Sequence, residues 1–208
     1  MAGFGWGAAW LGADARISTH RDTRAFRDDP SAASIGAFET TSALVHLRRP
    51  SKLSTLQLAD TQPFLDPAGR FAFSHNGDLT AYREPRRRYQ AQGRIAGRAD
   101  SEVGARWLED AWSGCPSAAD ALKALHAAFG GEANMATIDT AGAVVHYAGN
   151  SENPVFAFRL GRIGIASTAL YSIDRSLFAL AARGATERRL VRPGIAIGLG
   201  PNGNPQPG

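Results

Sequence analysis

The order of its local patterns predicts an α+β fold for this chain. Short strand-like runs come first, amphipathic helices occupy the middle, and a second series of short strands closes the sequence. Alternating βαβ units would interleave the two types throughout, so the segregated order points to a sandwich of sheets and helices. Two bulk properties agree. The length of 208 residues suits one domain, and an apolar content of 44% is enough to bury a sizeable core.

Taken along the chain, Gly5 to Leu11 reads as a strand, and Arg21 to Ile35 as polar and turn-rich. Ser42 to Leu47 alternates well enough for a second strand and ends at Arg48-Arg49-Pro50, where proline limits a helix or central strand. Lys52 to Asp66 is a long connection, of the kind that tends to carry function. Arg70 to Ser74 is a strand, and His75-Asn76-Gly77-Asp78 a turn. A helix follows with Pro85 in its first turn. Ser101 to Trp112 is an amphipathic helix with Val103, Trp107, Leu108, Ala111 and Trp112 on one face. Ser117, with Asp120 three residues on, caps the next helix, whose stripe is Ala118, Ala121, Leu122, Leu125 and Phe129. Strands are expected at Met135–Asp139, Ala143–Tyr147, Val155–Leu160, Ile163–Ser167 and Ile195–Leu199, with a short helix over Ser172–Ala182. The domain is expected to span residues 1–199. The Pro/Gly/Asn-rich tail, 200–208, is expected to be disordered.

Net charge is +4, carried almost wholly by arginine, which says more about attraction for anions than about fold. No run of 18 apolar residues exists to cross a membrane, and the N-terminus lacks the basic flank and apolar core of a secretion signal. The expected location is the cytoplasm. The lone Cys115 excludes an internal disulfide or a cysteine-based metal knuckle. His20, His46, His126 and His146 show no metal-ligand spacing, and no Walker A, HExxH or GxSxG motif occurs.

One stretch, Phe71 to Leu79 with sequence FAFSHNGDL, carries the most information. By itself its Asn-Gly pair reads as a type I′ hairpin turn. Two flanking features change that reading. Upstream, the strand in VHLRRPS ends in an arginine pair; downstream, GRADSEVGARW opens a helix with an acidic motif. These pieces, in this order, resemble class II glutamine amidotransferases, which belong to the N-terminal-nucleophile hydrolases. GFGWGAAWL near the start, without the family's leading aspartate, and ASTALYSIDRSLF near the end add to the resemblance, which covers most of residues 3–199.

The resemblance implies a four-layer αββα sandwich with its first strand absent. It implies hydrolysis of the side-chain amide of glutamine or of a γ-glutamyl small molecule, with ammonia released or passed to a separate synthetase. No cofactor and no metal are expected. The Asn76 side chain and the Gly77 backbone N–H would form the oxyanion hole, because a tetrahedral intermediate needs preorganised donors. Arg48 would clamp the substrate α-carboxylate with its paired donors, and Asp100 would hold the α-ammonium. Read singly, Arg48 could cap a strand end, Asp100 could complement a helix dipole, and His75, given no proton-transfer role, could be a satisfied hairpin histidine.

The chain also departs from the family pattern at its nucleophile and at two loop positions. The family's nucleophile is an N-terminal cysteine whose own α-amine can act as base. Here Met1 is followed by Ala2, and Cys115 lies between two helices. The expectation is a native chain that begins upstream with Met-Cys; the alternative is a catalytically inactive glutamine-binding or regulatory homologue. Gln62 stands where a histidine is frequent, and Ser51 where threonine is common. A second alternative is nucleic-acid binding through Arg83, Arg86, Arg87, Arg88, Arg94 and Arg98. That cluster has no recognisable module and only Tyr89 for stacking, so nucleic acid is not the expected partner.

Overall fold

The computed structural model describes residues 4–49, 53–168, 176–200 and 205–206. The elements run β1 (Trp6–Leu11), β2 (Ile17–Asp22), α1 (Ser31–Gly36), β3 (Ala43–Leu47), β4 (Phe64–Leu65) and β5 (Phe71–Gly77). Three helices follow: α2 (Arg83–Ala91), α3 (Asp100–Ala111) and α4 (Ala118–Phe129). Then come β6 (Ala133–Asp139), β7 (Val144–Tyr147), β8 (Val155–Leu160), β9 (Ile163–Ser167), α5 (Ser176–Ala181), β10 (Thr186–Val191), β11 (Ala196–Leu199) and β12 (Pro205–Gln206).

A six-stranded sheet, ordered β12-β11-β7-β6-β5-β4, forms the centre. Its strands alternate in side-chain direction, so each sends one set of residues to either face. Phe71, Phe73, Met135, Val145 and Tyr147 meet the helices, packing with Leu79, Tyr89, Leu108, Leu122 and Leu125. Ala72, Ala136, Ile138 and Val144 meet Ala9 and Leu44 of the three-stranded sheet β2-β1-β3. Ala148 and Ile197, on that same face, meet Val155, Ala157 and Val191 of a second three-stranded sheet, β10-β8-β9. The two small sheets therefore share one layer. Outside them, α1 places Ala32 and Ile35 on Trp6, Ala8 and Trp10, and α5 places Phe178 against Phe158. The result is the expected α/β/β/α stack.

Most elements fall where the pattern places them. Ser117 accepts the Asp120 N–H as the N-cap of α4. β2 and β10 were not foreseen. The sequence Ile17–Asp22 carries only one buried residue, and β10 likewise only one, so neither shows the alternation that marks a half-buried strand. The expected helix over 172–182 forms from Ser176; residues 172–175 lie outside the described residues. Of the expected disordered tail, only Gly200, Pro205 and Gln206 are described, and Pro205 and Gln206 pair with Leu199 and Gly198 as a two-residue strand. No helix among the described residues is long and apolar enough to cross a membrane.

Candidate active site

The site is built on the far end of β5. Phe71, Phe73 and His75 point to the helices, and Ala72, Ser74 and Asn76 to the facing sheets. The expected turn at His75–Asp78 is corrected. β5 runs through Gly77, pairing Asn76 with Asn134 and Gly77 with Ala133. A type I′ turn needs its partner strand to return at once. Here the chain leaves for α2, and β6 arrives only after three helices.

Gly77 has φ +127°, and a Cβ there would lie 1.6 Å from the Glu132 carbonyl oxygen. Packing alone thus requires glycine. Its N–H direction follows from the ladder. In an antiparallel pair, hydrogen-bonded and non-hydrogen-bonded residue pairs alternate. The Asp78 N–H donates to the Glu132 carbonyl, so Gly77 and Ala133 form a non-hydrogen-bonded pair. The Gly77 N–H turns away from β6, toward the side where β4 pairs only as far as Phe73. The Asn76 side chain is half-buried and has no hydrogen-bond partner among the described residues. Two donors at the end of one strand are therefore left uncommitted.

Asp100 is the first residue of α3. Its Oδ2 accepts the Leu79 N–H at 2.7 Å and its Oδ1 the Ser101 N–H at 2.9 Å. Each oxygen keeps a lone pair for another donor. Three buried side chains fix this arrangement. Asp60 accepts the N–H groups of Arg98 (2.5 Å) and Ala99 (2.6 Å) and a bond from Gln57 Nε2. Glu102 accepts the N–H groups of Ala96 and Gly97 at 2.9 and 2.7 Å. Gln62 clips β5 to α3: its Oε1 accepts the His75 N–H at 2.5 Å, and its Nε2 donates to the His75 carbonyl and to Ser101 Oγ. Gly97 lets the loop wrap this closely, since a Cβ there would stand 2.2 Å from Asp60 Oδ1.

Arg48 follows the last residue of β3 and is buried, 6% exposed. Its Nη2 donates to Thr55 Oγ1 at 2.8 Å. Burial lowers its pKa and the Asp60 carboxylate opposes that shift. The structure thus ties Asp100 to the segment after Gly77 through the Leu79 N–H, and sets Asp60 close enough to Arg48 to act on its charge. Pro50 and Ser51 lie outside the described residues.

His75 is buried with Nε2 unpartnered. Burial drives its pKa down, against the raising effect of Asp100 and Asp78, so the ring is neutral. Cys115 lies beyond the C-terminal end of α3, a 12-residue helix that spans about 18 Å. Asp100 begins that helix, so the thiol and the donors stand at opposite ends.

Two other groupings resolve into structure. His20, Asp22 and Asp29 approach closely enough to hold a metal ion. Arg24, however, bonds both carboxylates, at 2.6 and 3.2 Å, while His20 and Trp6 bond Asp29. That network ties β2 to the start of α1. In the arginine cluster, Arg86 donates to the carbonyls of Gly97 and Ala99, Arg88 to Tyr89, and Arg94 pairs with Glu109 and Asp110. Half of the six cations are committed internally.

Sequence reasoning missed Asp60 and Asn150. Asp60 lies in the long connection from Lys52 to Asp66, and its partners Arg98 and Ala99 are distant in sequence. The Asn150 Nδ2 donates to the Glu132 carbonyl beside Gly77, and its Oδ1 accepts the N–H groups of Glu152 and Asn153. The partners of Gln62 are likewise visible only in the structure.

Comparison with known proteins places this geometry in a lineage. No curated protein sequence matches the chain. Among solved structures, glutamine phosphoribosylpyrophosphate amidotransferase from B. subtilis, complexed with ADP and GMP, is 18% identical with TM-score 0.73, covering 99% of this chain and 43% of that one. A structure described as the allosteric regulatory enzyme of purine biosynthesis is 17% identical with TM-score 0.72, covering 97% and 42%. This chain thus spans about two-fifths of the length of either. A glutamine aminotransferase class-II domain protein from Silicibacter pomeroyi is 21% identical with TM-score 0.59, covering 99% and 95%. At these identities the likeness speaks for the fold. Residues 2–145 match the family model of the class II glutamine amidotransferases, and the chain belongs to that family.

Proposed function

We propose that this domain binds glutamine, or a γ-glutamyl small molecule, by its amino-acid end and hydrolyses the side-chain amide. The observation that carries the reading is the pair of uncommitted donors, the Asn76 amide and the Gly77 N–H, with the Asp100 carboxylate bonded two residues further on. Donors fixed before the reaction cost no reorganisation when charge develops on the carbonyl oxygen. Asp100 takes the α-ammonium and Arg48 the α-carboxylate. A cysteine thiolate attacks the amide carbon, the oxyanion forms between Asn76 and Gly77, and collapse expels ammonia once its nitrogen is protonated. Water then releases glutamate from the thioester. The ammonia passes to a separate synthetase.

The thiolate is a cysteine on a strand upstream of Gly5. Support comes from the layer facing β5, where, among the described residues, β3 pairs only with β1 and β9 only with β8. Each small sheet thus offers an unpaired edge at which a further strand can add. A second reading rests on the distance of Cys115 from the donors: the domain binds glutamine without cleaving it.

Calorimetry with glutamine on the present chain, together with glutamate release from a form extended by a cysteine-bearing strand, separates the two. Binding in both forms with glutamate release only in the extended one supports the enzyme. Binding without release from a folded, extended chain leaves the binding module. No binding to either, or binding unchanged in Asp100→Ala, sinks both.

A further inference from the structure

A second cavity lies away from Asn76 and Gly77, where the edge strands β2 and β4 approach α3. It holds about 180 Å³ and is lined by Thr19, Arg21, Phe64, Leu65, Glu102 and Arg106, with Ala59 and Ala96 completing the wall. Its charges are unbalanced in a specific way. Glu102, the one carboxylate in the lining, uses one lone pair of each oxygen on the Ala96 and Gly97 N–H groups. Arg21 donates one bond from Nη1, to the Thr61 carbonyl at 2.9 Å. Arg106 has one ion pair, Nη1 to Glu109 Oε1 at 2.7 Å, and Glu109 is shared with Arg94 at 2.9 Å. The Arg106 Nε is buried without a partner. Burial lowers the Arg21 pKa, the Glu102 carboxylate opposes that shift, and the nearby Arg106 guanidinium adds to it. Two partly desolvated cations on one cavity, with more donors than acceptors, form a receptor for a planar or tetrahedral oxyanion.

We infer that this cavity is a binding site for a small oxyanion, a carboxylate or a phosphate, held between Arg21 and Arg106. The apolar wall of Phe64, whose ring lies 6.0 Å from the Arg21 guanidinium carbon, leaves room for a short hydrocarbon stem on a carboxylate. Neither arginine belongs to the proposed glutamine site, so this inference stands or falls independently of that reading.

Thermal unfolding of the full chain, at one ionic strength in chloride, inorganic phosphate or acetate, tests it. A ligand that binds the folded state alone raises the midpoint with concentration. Phosphate or acetate should raise it by about 3 °C over chloride near saturation, and the more effective anion identifies the class. Arg106→Gln and Arg21→Gln should abolish the difference. Ala96→Glu, which brings a tethered carboxylate to the wall, should raise the midpoint without added anion and respond no further. That variant keeps both arginines, so it decides the matter if either glutamine variant fails to fold. No rise over chloride overturns the site. So does an equal rise in Ala96→Glu, which marks the general stabilisation that excluded salts give any protein.

Discussion

The two faces of the central sheet are covered in different ways. On the helix side, Phe71, Phe73, Leu79, Tyr89, Leu108, Leu122 and Leu125 are all buried to within 1% in one continuous cluster. On the other side the cover is split between two three-stranded sheets, whose contacts are made by smaller residues such as Ala9, Leu44, Ala148, Val155 and Ala157. Those sheets also leave apolar side chains in solvent: Val45 is 57% exposed, Ile163 63% and Leu190 56%. The contrast assigns different work to the two halves. The donors and Asp100 stand on elements locked by the dense core, which keeps their geometry fixed. In the split layer, among the described residues, β3 pairs only with β1 and β9 only with β8.

Five measurements would break or sharpen that contrast. The largest effect should come from Gly77→Ala, which drives a methyl into the Glu132 carbonyl. A loss of about 4 kcal/mol or more is expected in urea unfolding, and a loss under 1 kcal/mol would show that the end of β5 is not held as tightly as described. Leu122→Ala, in the dense core, should cost about 3 kcal/mol by cavity formation. Asp60→Asn keeps the shape but removes the charge that binds Arg98, Ala99 and Gln57. We expect about 2 kcal/mol from weaker charge-assisted bonds, with loosened backbone amides at 96–99 in hydrogen exchange. Unchanged exchange there would mean that Asp60 does not deliver Asp100.

The fourth measurement is a pH series. His46 on β3 and His146 on β7 of the central sheet are crowded by their surroundings, and burial lowers both to about 4. For each, the unfolded chain binds a proton near pH 6.5 and the folded chain only near 4. Stability is therefore whole above pH 6.5, falls as the pH drops toward 4, and levels off below it. His146→Asn should flatten part of that slope, and an unaltered slope would assign it to other groups. The smallest effect belongs to Val45→Thr on the exposed face of β3, expected within about 0.5 kcal/mol. A cost near that of Leu122→Ala would mean that the two halves are packed alike.

Much of this was legible in local pattern. The apolar stripe of Val103 and Leu108, and that of Leu122, Leu125 and Phe129, named the helices that bury them. What failed was anything whose partner is distant in sequence. His75-Asn76-Gly77 looks like a hairpin because Asn-Gly favours positive φ. Gly77 does adopt positive φ, but to clear Glu132 rather than to turn the chain. β2 and β10 carry almost no buried residues, and their place is set by pairing with β1 and β8.

The family, the α+β order and the candidates Arg48, Asn76, Gly77 and Asp100 can be read from the chain alone, because short motifs and side-chain periodicity are properties of neighbours in sequence. How those candidates are held depends on contacts between distant segments. Asp60, Gln62 and Glu102 are buried polar groups whose hydrogen bonds must be met somewhere, and each meets them on backbone from another segment. No local pattern names such partners, since their choice is made by packing two elements together.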